Sequence, residues 1–108
     1  MKALTFQSKE RVCYESVDDP GIEAPSDLVV KVELAGICGS DLHPYHEREP
    51  LDSGTVLGHE FVGEVVALGP DVKRFRRGDR VFSPFTTNCG SCSYCRNSLT
   101  SRCREGQL

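Results

Sequence analysis

Short runs of alternating apolar and polar residues recur along the chain, and most of them end at a glycine or proline turn. The clearest alternation covers residues 27–35, where Val30, Val32 and Leu34 are expected on one face of a half-buried strand. Residues 61–68 form a nearly continuous β-rich run, which predicts a second strand closed by the turn at Gly69. These two segments are the most strongly predicted strands of the chain.

Weaker patterns fill the rest of the chain. Residues 1–6 and 11–17 are typical of a hairpin, and residues 81–83 predict a short strand that Pro84 stops. Ser40 and Asp41 could cap a short helix that runs through Tyr45. Many short strands with little helix predict a mainly β domain of barrel-like architecture.

A polar segment near the end of the chain contains closely spaced cysteines. They follow the pattern C-x2-C-x2-C-x7-C, and we call residues 89–103 the cysteine lobe. The lobe has little apolar content besides Tyr94 and Leu99, so it cannot order itself by burial. Four thiolates joined by tight turns are the usual ligands of structural zinc, and the lobe is predicted to bind it. The predicted ligands are Cys89, Cys92, Cys95 and Cys103.

Two disulfides are the alternative interpretation of the same cysteines. A disulfide across C-x2-C is strained, which disfavours that pairing. Of the other two cysteines, Cys13 lies in a strand-like run and is most simply a core or edge residue. Cys38 is left for a separate role.

A second and more dispersed set of residues could also bind a metal. Cys38 and His59 each lie beside a glycine, where a strand pattern breaks into a turn, and Glu60 directly follows His59. A lone cysteine or histidine is more often a structural residue than a ligand. Together, one Cys, one His and a carboxylate leave a coordination position open, which distinguishes catalytic zinc from structural zinc.

The order and spacing of these motifs resemble those of a known family. Residues 36–43 (GICGSDLH), 58–63 (GHEFVG), 78–81 (GDRV) and the cysteine lobe are similar to the N-terminal part of zinc-dependent medium-chain alcohol dehydrogenases. The resemblance runs from about Leu28 to the end of the chain. It implies a GroES-like, partly open β-barrel with short helices and a four-cysteine zinc lobe.

The resemblance also implies an activity and roles for individual residues. A zinc-dependent dehydrogenase of this kind oxidises an alcohol or polyol by hydride transfer to NAD or NADP, with zinc as the Lewis acid. Cys38 and His59 would be ligands of the catalytic zinc, and Glu60 a ligand in some states. Ser40 would relay the proton of the alcohol, and His43 would pass it towards solvent. The resemblance further implies a homo-oligomer for the full-length protein.

Length limits what the chain can do alone. Its 108 residues make one domain at most, and no G-x-G-x-x-G motif for a nicotinamide cofactor occurs. We therefore expect residues 1–108 to be an incomplete N-terminal catalytic domain that lacks the Rossmann domain. Such a fragment is expected to be inactive by itself.

Composition and charge exclude several other partners. A net charge of −3 argues against nucleic acid as a partner, although five cationic residues lie close together at positions 73–80. That basic segment is predicted to be a solvated hairpin loop. Membrane-spanning runs and a signal-peptide core are absent from the sequence. Thiols that serve as metal ligands fit a reducing compartment, so the expected location is the cytoplasm.

Two other classes of function remain open. A zinc-binding interaction module without catalysis would need the cysteine lobe only, and would have no use for Cys38 and His59. A zinc-free reductase relative need not keep those two ligands either. Both alternatives therefore account for less of the sequence than a zinc-dependent dehydrogenase does.

Overall fold

The strands among the described residues form two small antiparallel sheets. The computed structural model describes residues 1–83 and 85–106. The first sheet is a hairpin of β1 (Lys2–Ser8) and β2 (Arg11–Ser16), and its turn includes Glu10 at a positive φ of 57°. The second has the order β3-β4-β5, from β3 (Leu28–Ala35), β4 (Phe61–Leu68) and β5 (Arg80–Phe82).

Short helices connect and follow these strands. A 3₁₀ turn at Gly39–Asp41 leads directly into α1 (Leu42–Tyr45), close to the helix expected after Ser40. The cysteine lobe contains α2 (Ser93–Arg96) and a second 3₁₀ turn at Thr100–Arg102, which the sequence patterns did not predict. The mainly β, partly open architecture is confirmed, with the strands in two open sheets.

Backbone hydrogen bonds link the first sheet to the rest of the chain. The backbone N–H of Phe6 donates to Thr55 at 2.8 Å, and Leu57 donates to Leu4 at 2.9 Å. The hairpin turn also reaches α1, because the N–H of Glu10 donates to the carbonyl of Tyr45 at 2.8 Å. The buried core is correspondingly small among the described residues, and Phe6 and Val65 are its largest apolar members.

The expected alternation along β3 is only partly correct. Val30 is half-buried, but Val32 and Leu34 are 53% and 70% exposed. Register shifts at Val29/Val30 and at Val32/Leu34 interrupt the pairing of β3 with β4, so the strict period of two is lost. Within residues 1–83 and 85–106, little packs against this end of β3.

An apolar groove of about 1140 Å³ lies between the hairpin and the three-stranded sheet. Leu4, Val12 and Tyr14 line one side of it, and the first half of β3 lines the other. No helix in the described part of the chain is long and apolar enough to cross a membrane.

The basic segment at residues 73–80 is an exposed turn, as expected, and Phe75 within it is 42% exposed. The carboxylate of Asp79 accepts from the backbone N–H of Arg76 at 2.8 Å, and Arg80 pairs with Glu33 at 3.1 Å. Acidic partners therefore offset part of its charge. Pro84, which was expected to end β5, lies outside the described residues.

Gly63 in β4 gives a direct test of the β3–β4 pairing. A Cβ built there would lie 2.3 Å from the carbonyl oxygen of Lys31 and 2.7 Å from Cγ1 of Val30. Backbone cannot move aside as a side-chain end can, so Gly63→Ala is expected to cost about 1–3 kcal/mol of stability. The unfolding midpoint of the variant should fall, whereas Gly21→Ala, which meets open space, should leave it unchanged. Equal midpoints for the two variants would contradict this packing.

Candidate metal centres

The pairing of β3 with β4 brings the second set of candidate ligands together. Ala35 at the end of β3 pairs with Phe61 at the start of β4, and the N–H of Gly36 donates to Glu60 at 2.8 Å. Residues that follow β3 therefore lie beside residues that precede β4. Cys38, His59 and Glu60, which we call the Cys38 cluster, have ligand atoms all within 4.8 Å of one another.

Hydrogen bonds in the Cys38 cluster favour a thiolate. The hydroxyl and the backbone N–H of Ser40 donate to Cys38 and, together with His59, lower the pKa of the thiol. The pKa of His59 is raised, chiefly by its hydrogen bond to Cys38 and further by the negative charges of Asp41 and Glu60. Because the thiolate is the form that binds metals, these donors prepare Cys38 for that role.

Asp41 is a site residue that sequence reasoning missed. One of its carboxylate oxygens accepts from the backbone N–H of Cys38 at 2.8 Å, and the other lies 3.2 Å from Nδ1 of His59. A carboxylate at Nδ1 favours a proton on that nitrogen, which leaves Nε2 available to a metal. The available signal was its position three residues after Cys38. Asp41 was interpreted only as a possible helix cap.

The predicted proton-transfer residues occupy different positions. The hydroxyl of Ser40 lies 3.5 Å from Nε2 of His59, so Ser40 is part of the site. His43 is exposed on α1, and in the described part of the chain its side chain forms no hydrogen bond to Ser40. The structure therefore brings Ser40 to the Cys38 cluster but not His43.

An open cleft of about 400 Å³ adjoins the Cys38 cluster. Its lining includes Glu60 together with the apolar side chains of Leu34, Phe61 and Phe85. The ring of Phe85 meets that of His59 edge to face, with centroids 5.1 Å apart. Phe85 lies 26 positions after His59, and no sequence motif marked it as a site residue.

The four cysteines of the cysteine lobe also converge. Their sulfurs lie within 4.8 Å of one another, and none of them forms a disulfide. Zinc bound by four thiolates at about 2.3 Å would hold the sulfurs about 3.8 Å apart, so the arrangement fits this metal. Gly90 permits the first turn through a positive φ of 69°.

Backbone donors surround the sulfurs of the lobe. The N–H of Cys92 donates to Cys89 at 3.3 Å, and the N–H of Cys89 donates to Cys103 at 3.3 Å. The Ser91 hydroxyl and neighbouring N–H groups lower the pKa of Cys89 to about 6, whereas burial and a hydrogen bond to Cys92 raise the pKa of Cys95 to about 12. Four adjacent thiolates repel one another, so a bound cation is needed to balance their charge.

Comparison with known proteins identifies the family. Residues 24–108 match the family described as the alcohol dehydrogenase GroES-like domain. The chain belongs to this family.

Individual relatives agree with this assignment. The chain is 45% identical to zinc-type alcohol dehydrogenase B of Aspergillus flavus, over 100% of the chain and 25% of that protein. It matches the structure of alcohol dehydrogenase TADH from Thermus sp. ATN1 with a TM-score of 0.90 and 47% identity. A structure from Escherichia coli CFT073, described as a short chain alcohol dehydrogenase complexed with NADH, matches with a TM-score of 0.75 and 32% identity.

The chain spans only part of the proteins it matches. Each of the two structures is covered over 31% of its length, while 100% of this chain is aligned. The relatives are therefore about three to four times as long as this chain of 108 residues.

Proposed function

We propose that this chain is the N-terminal GroES-like catalytic domain of a zinc-dependent NAD(P) alcohol or polyol dehydrogenase. The observation that supports it most is the convergence of Cys38, His59 and Glu60 beside an apolar cleft. One sulfur, one imidazole and one carboxylate suit zinc and leave a coordination position open. A relative named zinc-type alcohol dehydrogenase, 45% identical to the chain, points to the same chemistry.

Each residue of the Cys38 cluster would have its own role in metal binding. Cys38 and His59 would hold the catalytic zinc, and Glu60 would join them or give way to another ligand. When bound, zinc supplies Lewis acidity towards an alcohol hydroxyl, and a nicotinamide cofactor supplies the hydride acceptor. Asp41 would keep the imidazole of His59 in one orientation.

Ser40 and His43 would move the proton that the alcohol loses. The Ser40 hydroxyl can accept and donate a proton, and it lies 3.5 Å from Nε2 of His59. His43 lies three residues further along the chain and is exposed to solvent. Because the described residues contain no hydrogen bond between the two side chains, a further group would have to bridge Ser40 and His43.

The cleft next to Glu60 would receive the substrate. Phe61 and Phe85 give it apolar walls, and the carboxylate of Glu60 is its polar end. An alcohol or polyol could place its carbon skeleton against the rings and its hydroxyl towards the Cys38 cluster. The cysteine lobe, whose four sulfurs leave no open position on zinc, would have a structural role.

The whole protein would be a cytoplasmic homo-oligomer that acts on small molecules. Thiols that serve as metal ligands fit a reducing compartment. With a net charge of −3 for this chain, nucleic acid is not a proposed partner.

The direct test is nicotinamide reduction by the whole protein with a panel of alcohols and polyols. We expect turnover that is lost when a chelator removes zinc and returns when zinc is restored. Residues 1–108 alone should show none. A zinc-loaded whole protein that oxidises no alcohol, or one that keeps full turnover without zinc, would contradict the proposal.

Asp41→Asn tests the support that His59 receives. The substitution keeps the size of the side chain but removes the charge beside Nδ1. Loss of such an outer contact commonly weakens metal binding about 10–100-fold, and we expect a fall in that range. Zinc affinity measured against a competing chelator would show it. Asp52→Asn, at an exposed position, is the matched control, and equal affinities for the two variants would contradict the role of Asp41.

A further inference from the structure

Gly36 lies directly beneath the side chain of Glu60. A Cβ at this glycine would meet the Glu60 carboxylate oxygen Oε2 at 2.9 Å and Cβ of Glu60 at 3.5 Å. Non-bonded heavy atoms pack at about 3.5 Å or more, so the first contact is a clash and the second is ordinary. The space that Gly36 leaves empty is therefore used by the carboxylate.

The backbone around this contact is fixed. The N–H of Gly36 donates to the carbonyl of Glu60 at 2.8 Å, which extends the β3–β4 ladder by one bond beyond the Ala35–Phe61 pair. Gly36 has no positive φ, so alanine can adopt its backbone conformation. When a Cβ is added, the flexible end of Glu60 must move rather than the chain.

We propose that Gly36 is a positioning residue, which holds the Glu60 carboxylate within the Cys38 cluster by leaving room for it above its own Cα. The inference rests on the proposed function, because it assumes that the cluster binds a metal. The inference assigns a role at the Cys38 cluster to a residue that offers no ligand atom. Gly36→Ala should displace the carboxylate while Cys38 and His59 stay in place.

The experiment measures metal release from the whole protein. Both sites are loaded with Co²⁺, and the release phase that is absent from Cys38→Ser is assigned to the Cys38 cluster. In Gly36→Ala we expect this phase to be about tenfold faster, because losing a contact that supports a metal ligand commonly weakens metal binding by about that factor or more. Release from the cysteine lobe should keep its rate. Gly39→Ala is the local control, because a Cβ there meets open space at a φ that is not positive.

A double mutant separates positioning from a general packing defect. Once Glu60 is alanine, a Cβ at position 36 meets only the Cβ at position 60, at the ordinary distance of 3.5 Å. Gly36→Ala should therefore have no further effect on release in a Glu60→Ala background. If Gly36→Ala alone lost its folded circular dichroism spectrum, the double mutant should regain it.

The outcomes distinguish this inference from the proposed function. An unchanged release rate in Gly36→Ala, or an acceleration that persists in the Glu60→Ala background, would overturn the role of Gly36 alone. A parent protein with no Cys38-dependent metal phase would overturn the proposed function together with it.

Discussion

Cys38→Ser and His59→Ala are expected to abolish alcohol oxidation by the whole protein while leaving its fold intact. Each change removes one proposed zinc ligand from the Cys38 cluster, and we expect its two remaining donors to hold the metal too weakly to retain it. The Lewis acid supplies several kcal/mol to such a reaction, so turnover should fall about a thousand-fold or more. Nicotinamide reduction gives the rate, and circular dichroism checks the fold.

The chain contains matched controls for both substitutions. Cys13 is a free cysteine on β2, outside both clusters, and Cys13→Ser should keep turnover. His46 lies at the end of α1, where its Nδ1 is 3.1 Å from a Glu10 oxygen, and His46→Ala should keep most of the activity. Near-normal oxidation by Cys38→Ser or His59→Ala would disprove zinc catalysis at this cluster.

Cys92→Ser is expected to unfold the cysteine lobe. Its sulfur accepts from the N–H of Cys95 at 3.5 Å and is one of the four converging thiols. Structural zinc contributes on the order of 10 kcal/mol to the folding of small peptides, and the lobe has little apolar surface to replace it. Without the metal, residues 89–103 should exchange amide hydrogens rapidly and become sensitive to protease.

Cys13→Ser again serves as the control, because it removes a thiol without touching the lobe. Hydrogen exchange of the three-stranded sheet should change little in Cys92→Ser, since the loss is confined to the lobe. A lobe that stays protected and retains zinc in Cys92→Ser would show that the four-cysteine site is not what orders this segment.

Local patterns predicted much of the secondary structure. The run at residues 61–68 became β4 with the same bounds, and the first hairpin formed as expected. Exposure was harder to predict, because it depends on distant packing. Val32 and Leu34 alternate as buried residues would, yet both are exposed, on either side of the second register shift of β3. The short helix α2 was also missed, since the cysteine lobe has no apolar periodicity to mark it.

The candidate ligands were predictable to different degrees for a physical reason. The four cysteines of the lobe lie within 15 residues, so their spacing alone indicates a common metal. Cys38 and His59 converge only because β3 pairs with β4, a long-range contact that the resemblance supplied and periodicity could not. Asp41, Gly36 and Phe85 contact the Cys38 cluster through the fold, and only the structure places them there.

Zinc content of the whole protein tests the central claim most directly. Elemental analysis of the reduced, folded protein should give about two zinc ions per chain, one for each cluster. Cys38→Ser should retain about one zinc ion, held by the cysteine lobe. Alcohol oxidation should be lost together with the zinc ion of the Cys38 cluster. Equal zinc content in Cys38→Ser and the parent protein would show that Cys38, His59 and Glu60 do not form a metal site.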